Sequence, residues 1–381
     1  MANKNDILHK AKKGKNDEFY TLLSDIEKEI EYYKEYFSGK VVYCNCDDFR
    51  ESNFFNYFCD KFDELGLKKL IATGYIENST GIISIYDGEK IDVGELDGDG
   101  DFRSDECVEI LKGCDVVVTN PPFSLFRDYV SLVMEYGKQF LIIGNINAIT
   151  YKEIFPYIRK NELWLGCSSF NSGMYFRVPD DYEYADTYKF DRVRDGQKVM
   201  RVSSICWYTN ISHNRRGIQL VLTREYNDND YNRYSNYDAI EVSKVENIPM
   251  DYYGEMGVPI TFLNKYCPDQ FEIIGHEHDI DGYGKDIGQF EVNGKGVYKR
   301  ILIRRLKNDV ILHKDFKTRK EIDELDIFDF NNIPMSELDK AYIDYEPLYD
   351  TVDWYSVDDD YLYEESDIPI ESIRDSEDKT Y

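Results

Sequence analysis

The sequence has no long apolar stretch and few cysteines. No run approaches the ~20 apolar residues that a membrane-spanning helix needs, and the mean hydropathy is −0.57. The lysine-rich residues 1–15 are followed by no apolar segment, so we expect no secretory signal. The 8 cysteines are scattered over 381 residues, which is typical of reduced thiols and not of a disulfide framework. These absences predict a soluble, cytoplasmic protein without a membrane partner.

Positive charge is also scarce, and it is unevenly distributed. The chain has 46 basic and 74 acidic residues, a net charge of −28. Residues 321–381 contain 21 acidic and 3 basic residues, whereas residues 294–320 contain 10 basic and 2 acidic ones. The net charge argues against a nucleic-acid partner, but a local basic segment is the more relevant indication. The composition of the acidic tail favours disorder, although its interspersed aromatic residues leave docking onto the body open.

The first 150 residues alternate between helix and strand patterns. Repeated βα units of this kind predict an α/β fold with an open, mainly parallel sheet covered by helices, and ligands bind such sheets at the carboxyl ends of the strands. The predicted strands are 40–46, 67–75, 115–119 and 139–144, with a hairpin around Asp87-Gly88; the predicted helices follow a capping box at 24–27, begin at Ser52, and cover 105–112 and 125–136.

The chain is longer than one hydrophobic core usually spans, so we expect a second, smaller lobe. The pattern after Tyr151 changes to short strands and polar aromatic loops, and residues 226–237 are predicted to be an exposed loop. The predicted domains are therefore a catalytic domain at 1–148, a second lobe at 149–320 and the acidic tail at 321–381.

The sharpest chemical signal is Asn120-Pro121-Pro122-Phe123, directly after a predicted buried strand. A planar exocyclic amine is a poor nucleophile because its lone pair is delocalised into the ring. The side-chain oxygen of Asn120 and the carbonyl of Pro121 can accept hydrogen bonds from such an amine and direct its lone pair toward an electrophilic methyl group. The prolines stiffen the loop, and Phe123 offers a face for stacking of an extruded base. The alternative is a chance turn, since Asn-Pro and Pro-Pro commonly mark loops.

Six sequence segments, in the same order along the chain, carry a resemblance to a known family. On these segments, residues 12–306 resemble the EcoRI-type adenine-specific DNA methyltransferases, a branch of the S-adenosylmethionine-dependent N6-adenine enzymes. The acidic tail lies outside the resemblance. The segments are NDEFYT (16–21), VVYCNCDDFRESNFF (41–55), GDGDFRSDEC (98–107), VVVTNPPFSLFRDYV (116–130), LIIGNINAITYKEIFP (141–156) and IPMDYYGEMGVPITFLNKY (248–266).

The resemblance implies a Rossmann-like sheet that binds S-adenosylmethionine, with Asn120, Pro121, Pro122 and Phe123 as the catalytic residues. The implied cofactor-binding residues are Phe19, Tyr20 and Thr21 over the methionine part, Asn45, Asp47 and Asp48 at the amino group, and Asp101 and Phe102 at the adenine. The chain departs from the glycine-rich pattern common among methyltransferases, as the family that it resembles does. Two alternatives stay open: Asp47-Asp48 as a helix cap, and Phe102 as a core aromatic residue.

The basic segment contains a strand-like stretch that is the best candidate for contact with DNA phosphates. Strand alternation places Arg300 and Arg304 on one face, and Lys299 and Arg305 on the other. The alternative is a solvated edge strand, because basic residues also protect sheet edges.

The sequence thus predicts an enzyme that methylates the N6 amine of a flipped adenine in a specific duplex DNA site, without a metal. It leaves open whether a cognate restriction endonuclease exists, which methylation does not require, and we expect a monomer. An RNA base or a protein glutamine as the methyl acceptor is the first alternative. A non-catalytic DNA-mimic or DNA-binding protein built around the acidic tail is the second.

Overall fold

The computed structural model describes residues 20–168, 173–184, 188–280 and 286–307. Phe19, the acidic tail and the end of the basic segment therefore lie outside the described residues. Within the described ranges, no helix has the length and apolar character required to cross a membrane. The 8 cysteines form no disulfide there.

Helices occur in the regions where the pattern predicts them, although some of their ends differ. The α-helices are α1 (Leu23–Ile30), α2 (Asn53–Asp60), α3 (Asp105–Gly113), α4 (Phe126–Glu135) and α5 (Phe155–Arg159). Short 3-10 helices are Glu31–Phe37, Phe123–Leu125, Ile146–Thr150, Asn214–Gly217, Val245–Asn247 and Ile260–Lys265. The hydroxyl of Ser52 accepts hydrogen bonds from the backbone of Phe54 and Phe55, so Ser52 caps α2 as predicted. The predicted capping box at 24–27 is wrong, because the N-cap of α1 is Leu22, two residues before Ser24, and Leu22 has no capping side chain.

Strands follow the predicted pattern in the first part of the chain and are short in the second. They are β1 (Tyr20–Thr21), β2 (Val41–Asn45), β3 (Lys69–Gly74), β4 (Ile82–Tyr86), β5 (Ile91–Glu95), β6 (Val116–Thr119), β7 (Gln139–Asn145), β8 (Trp164–Leu165), β9 (Met174–Arg177), β10 (Val193–Arg194), β11 (Gln197–Val202), β12 (Ile205–Thr209), β13 (Ile240–Glu241), β14 (Glu255–Pro259), β15 (Phe271–His276), β16 (Asp279–Ile280), β17 (Glu291–Val292), β18 (Lys295–Gly296) and β19 (Arg300–Arg305). The predicted strands in the first 150 residues and the hairpin β4–β5 are confirmed.

An eight-stranded sheet forms the centre of the fold, in the order β5-β4-β3-β2-β6-β7-β12-β8. The inner strands β3, β2, β6 and β7 are parallel, while β4, β5 and β12 run antiparallel to their neighbours. The mainly parallel arrangement predicted from the βα pattern is confirmed. β12 lies beyond the predicted domain boundary at residue 148, yet it pairs with β7 along five residues. The boundary itself stays a prediction.

Alternate residues of β2 point to two hydrophobic layers, as strand geometry requires. Val42 and Cys44 pack in the layer that contains Ile26 of α1 and Phe58 of α2. Val41 and Tyr43 face the layer that contains residues of α3 and α4, including Leu111, Tyr129 and Val133. Helices therefore cover both faces of the parallel strands, which is why all five residues of β2 are buried.

The later residues form smaller sheets. One has the order β1-β9-β11-β10, and another has the order β13-β14-β19-β15-β16. β19 lies between β14 and β15, so the alternative of a solvated edge strand at this position is wrong. Residues 226–237 are also not fully exposed: Tyr231 and Tyr234 are buried, because aromatic rings in this polar stretch pack onto the body.

Candidate active site

The carboxyl ends of β2, β3 and β6 meet at one edge of the central sheet, because these strands are parallel neighbours. β6 consists of three valines and a threonine, all buried, and β-branched residues favour a strand. Pro121 has no N–H to continue the ladder, so the strand ends at Thr119 and the chain turns. The predicted position of the Asn-Pro-Pro-Phe loop, directly after a buried strand, is confirmed.

The loop is partly enclosed. Pro121 is buried, and Asn120, Pro122 and Phe123 are half-buried. The carbonyl of Pro122 accepts a hydrogen bond from the backbone N–H of Leu125 at 3.0 Å, which closes the turn into the 3-10 helix. The ring of Phe123 packs against the hydrophobic layer that contains Phe54, Phe55 and Phe176. One part of the ring is therefore held by the core while another part stays accessible.

A hydrogen-bond network joins this loop to the end of β2. The hydroxyl of Thr119, the residue before Asn120, lies 2.5 Å from Oδ2 of Asp47 and also contacts the carbonyl oxygen of Asn45. The hydroxyl of Ser52 donates to Oδ1 of Asp47 at 2.8 Å. Each carboxylate oxygen of Asp47 is thus held by one hydroxyl group, Oδ1 by Ser52 and Oδ2 by Thr119. Cys46, between Asn45 and Asp47 in the chain, has φ 66°. This backbone conformation costs energy for a non-glycine residue and turns the chain sharply.

Asp48 points to a different partner. Its carboxylate accepts hydrogen bonds from the side chain of Arg50 at 2.5–3.1 Å and from the backbone N–H of Arg50 at 3.0 Å. Partial burial opposes ionisation, but these hydrogen bonds outweigh it and lower the pKa of Asp48. Since Ser52 is the N-cap of α2, the alternative that Asp47-Asp48 cap this helix is wrong.

Tyr129 on α4 is a member of the site that the sequence reading missed. Its hydroxyl donates to Oδ1 of the buried Asn45, and its ring lies 5.0 Å from the ring of Phe102, between centroids. Phe102 is only 4 % exposed and belongs to the hydrophobic core, so it serves as a core aromatic residue whatever else it contacts. Helical spacing marks Tyr129 as a buried residue, but it gives no indication of the polar partner.

Asp101 reaches the same edge through a tight loop. Gly100 has φ +85°, and a Cβ atom there would lie 2.5 Å from the carbonyl oxygen of Gly74 at the end of β3, so only glycine fits. The backbone N–H of Ile76 donates to Asp99 at 2.9 Å, which fixes the loop against β3. The side chain of Arg103 binds Asp101 at 2.6 Å, and this hydrogen bond lowers the pKa of the carboxyl.

Tyr20 and Thr21 form β1, which pairs with β9. The guanidinium of Arg177 lies 4.7 Å from the centroid of the Tyr20 ring. The carbonyl of Thr21 accepts a hydrogen bond from Nδ2 of Asn53 at 2.7 Å, at the start of α2. These two residues therefore lie beside the loop that carries Asp47. Phe19 lies outside the described residues.

Two of the four predicted DNA contacts are buried. Arg300 is 8 % exposed and forms an ion pair with Glu241, with Nη2 and Oε1 2.7 Å apart. Arg305 is 3 % exposed, and its guanidinium lies 5.2 Å from the centroid of the Tyr253 ring. In this structure neither guanidinium is open to a DNA backbone, which corrects the expectation of phosphate contacts at these two positions. The physical reason is that β19 is a central strand with layers on both faces.

The other two predicted DNA contacts, Lys299 and Arg304, are less buried than Arg300 and Arg305. Nζ of Lys299 donates to Oδ1 of Asn147 at 2.8 Å, and burial lowers the pKa of this amine. Because Asn147 follows β7, this bond ties the start of β19 to the same end of the central sheet. The side chain of Arg304 is 42 % exposed and forms ion pairs with Glu255 at 2.8 Å and Glu272 at 3.2 Å.

Comparison with known proteins identifies a matching family and similar proteins. Residues 7–306 match the family model described as adenine-specific methyltransferase EcoRI. The chain is 49% identical over 321 residues to the type II methyltransferase M.EcoRI of Escherichia coli, covering 79% of this chain and 96% of that protein. It is 44% identical over 269 residues to the type II methyltransferase M.MpnI of Mycoplasma pneumoniae, covering 70% and 84%. No solved structure matches the chain.

Proposed function

The chain belongs to the EcoRI family of adenine-specific methyltransferases, and from this premise we propose that it methylates the N6 amine of a flipped adenine in one duplex DNA sequence. The observation that carries the proposal is the loop from Asn120 to Phe123, which leaves β6 beside the fixed carboxylate of Asp47. Its acceptor atoms and its aromatic ring are what a reaction at an exocyclic amine requires.

S-adenosylmethionine is the proposed methyl donor, and the residues at this edge fit it. This cofactor carries a cationic amino group and an adenine amine, and both need oxygen acceptors. The carboxylates of Asp47 and Asp48 lie on the loop that follows β2, and that of Asp101 lies on the loop after β5, which packs against the end of β3. We assign Asn45, Asp47 and Asp48 to the amino group and Asp101 to the adenine amine. Phe102 is assigned to the adenine ring, and Tyr20 and Thr21, with Phe19, to the methionine part.

When bound, the cofactor supplies an electrophilic methyl group on a sulfonium. Asn120 and Pro121 accept hydrogen bonds from the adenine amine, so its lone pair is localised and directed at the methyl carbon. The methyl group would pass directly to the nitrogen, and the excess proton of the methylated amine would pass to water. Phe123 stacks on the extruded base and holds it in place. This mechanism uses neither a covalent enzyme intermediate nor a metal.

The wider architecture is proposed on the same basis. The parallel strands β3, β2, β6 and β7, with antiparallel β12 beside β7, support a Rossmann-like methyltransferase sheet. We propose that residues 149–320 contribute the part that reads the DNA sequence, and that the enzyme acts as a cytoplasmic monomer. A cognate restriction endonuclease is a further proposal, supported by the type II names of the relatives.

Transfer from the labelled cofactor to DNA, RNA and protein, measured side by side, tests the proposal. We expect label only in duplex DNA, and sequencing that detects modified adenine should find it at one short motif. Label in RNA or in protein glutamine would reassign the acceptor. Binding of DNA without any turnover would support the non-catalytic alternative.

A further inference from the structure

A hairpin with an exposed tip projects from the small sheet that contains β1. It comprises residues 188–201, here called the 188–201 hairpin, and its strands β10 and β11 pair antiparallel. The turn residues Asp195 and Gly196 have φ 50° and 72°, values typical of a two-residue type I′ turn. Val193 beside the turn is 64 % exposed, and Phe190, farther from the turn, is 50 % exposed. The hairpin therefore presents apolar side chains to solvent.

The hairpin is basic within an acidic chain. Residues 188–201 contain 5 basic and 2 acidic residues, whereas the whole chain has a net charge of −28. Arg194 is paired with Asp191 at 2.8 Å. Lys189 and Arg192 are both exposed, and the structure shows no ion pair for either among the described residues. Their charge is therefore available to an anionic partner.

Aromatic rings hold the arginines of this hairpin in place. The guanidinium carbon of Arg192 lies 4.9 Å from the ring centroid of Tyr184, and that of Arg201 lies 4.3 Å from the ring centroid of Phe190. Cation–π contacts at these distances are favourable. Arginines that are already ordered lose less side-chain entropy on binding. Basic side chains interleaved with aromatic rings are the combination that nucleic-acid surfaces use.

The hairpin is anchored to the loop of the candidate active site. β11 pairs with β9, and β9 pairs with β1. Arg177 of β9 forms an ion pair with Glu51 at 2.8 Å, and the carbonyl of Thr21 in β1 binds Asn53 at 2.7 Å. Glu51 and Asn53 flank Ser52, whose hydroxyl holds Asp47. This places the sheet of the hairpin beside the end of the central sheet from which Asn120 projects.

We propose that the 188–201 hairpin binds the phosphate backbone of the DNA next to the target adenine, with Lys189 and Arg192 as phosphate contacts. The proposal rests on the proposed function, because it takes duplex DNA as the substrate. It assigns to this hairpin the role that the buried Arg300 and Arg305 do not fill. Phe190 lies beside these two residues and packs against the sugar or base edges of the same strand.

The test is the double substitution Lys189→Glu and Arg192→Glu in the full-length chain. DNA binding is measured over a range of salt concentrations. Each phosphate contact contributes about 0.9 to the slope of log K against log salt concentration, so the slope should fall by about two units. At ~0.1 M salt this corresponds to binding that is weaker by on the order of 10- to 100-fold. The KM for DNA should rise, while cofactor binding and turnover at saturating DNA stay close to those of the unmodified chain.

The matched control is Lys68→Glu with Lys69→Glu, which changes the net charge by the same amount. Both lysines are exposed and lie at the amino end of β3, opposite the candidate site. Equal effects of the two double variants on the slope would overturn the proposal. The glutamine variants Lys189→Gln and Arg192→Gln should retain most of the effect, because lost attraction and not added repulsion causes it. If the unmodified chain transfers no methyl group to DNA, the proposed function fails, and that outcome is distinct from an unchanged salt slope in an active enzyme.

Discussion

Asn120 lies between a buried strand and two prolines, and its neighbour Thr119 is fixed to Asp47 and Asn45. We expect Asn120→Ala to abolish most methyl transfer while cofactor binding survives. The acceptor acts on the reacting amine, and removing one preorganised polar contact costs ~3–4 kcal/mol in the barrier, or about 100- to 1000-fold in rate. Single-turnover transfer and cofactor titration measure the two effects separately.

Asn56→Ala is the control, because Asn56 is an exposed residue of α2 and should tolerate the change. If the methyl-transfer rate of Asn120→Ala lies within a few-fold of that of the control, the proposed mechanism is contradicted.

His276 gives a pH prediction at the same scale. It ends β15, is 1 % exposed, and its ring packs 4.3 Å from that of Phe155, between centroids. Burial lowers the pKa of His276 to about 4, below the ordinary value near 6.5 in the unfolded chain. The unfolded state therefore binds more protons between these values, so the free energy of unfolding falls as the pH drops from about 6.5 to about 4.

The full loss from this one group is on the order of 3 kcal/mol. Urea unfolding of the unmodified chain and of His276→Gln, at pH values between 7 and 4.5, measures it. The variant should lose less stability over this range. Parallel pH dependence of the two proteins would show that His276 is not the responsible group.

Among the elements, β19 shows that the position of a charged residue along a strand determines how deeply its ion pair is buried. Arg300 and Arg304 lie on one face of the same strand, as strand alternation predicts. Glu241 pairs with the first and Glu255 with the second. The exposed fractions of the two arginine side chains are 9% and 42%. Only the buried pair is screened from water, so the two pairs should differ in what their loss costs.

We expect Arg300→Met to lower the free energy of unfolding by about 3–5 kcal/mol, because it leaves the carboxylate of Glu241 buried and uncompensated. Arg304→Met should cost about 1 kcal/mol or less. The double variant Arg300→Met with Glu241→Met should recover much of the loss, since apolar side chains can replace a buried pair. Urea unfolding of the three variants is the measurement. Equal losses for the two single variants contradict the assignment.

At the scale of the whole molecule, the distribution of charge links the acidic tail to DNA binding. Residues 321–381 carry a net charge of −18, beside a segment at 294–320 with a net charge of +8. A tethered chain has an effective concentration in the mM range, so even weak attraction lets it compete with DNA phosphates. A tail that only increases solubility is the alternative.

We predict that a chain truncated after Lys320 binds non-specific DNA more tightly than the full-length chain. The difference should be largest at low salt, where screening is weakest. Fluorescence anisotropy with an unrelated duplex, over a salt series, compares the two proteins. Superimposed binding curves at every salt concentration would leave solubility as the function of the tail.

The sequence by itself determined the order of helices and strands in the first 150 residues, the mainly parallel sheet and the position of the Asn-Pro-Pro-Phe loop. These features are local: apolar periodicity, the cap at Ser52 and four contiguous residues carry them, so no knowledge of distant contacts is needed. The same holds for the resemblance to the methyltransferase family, since ordered segments along the chain carry it.

The tertiary structure alone decided which of the candidate side chains are accessible and what they contact. Tyr129 meets Asn45 across 84 positions of sequence, and Arg300 meets Glu241 across 59. Spacing along the chain encodes neither contact, because both depend on which strands become neighbours and in which register. A strand with three basic residues resembles a surface strand in sequence, but the sheet places it between two other strands. Exposed basic side chains lie instead on the 188–201 hairpin, at Lys189 and Arg192.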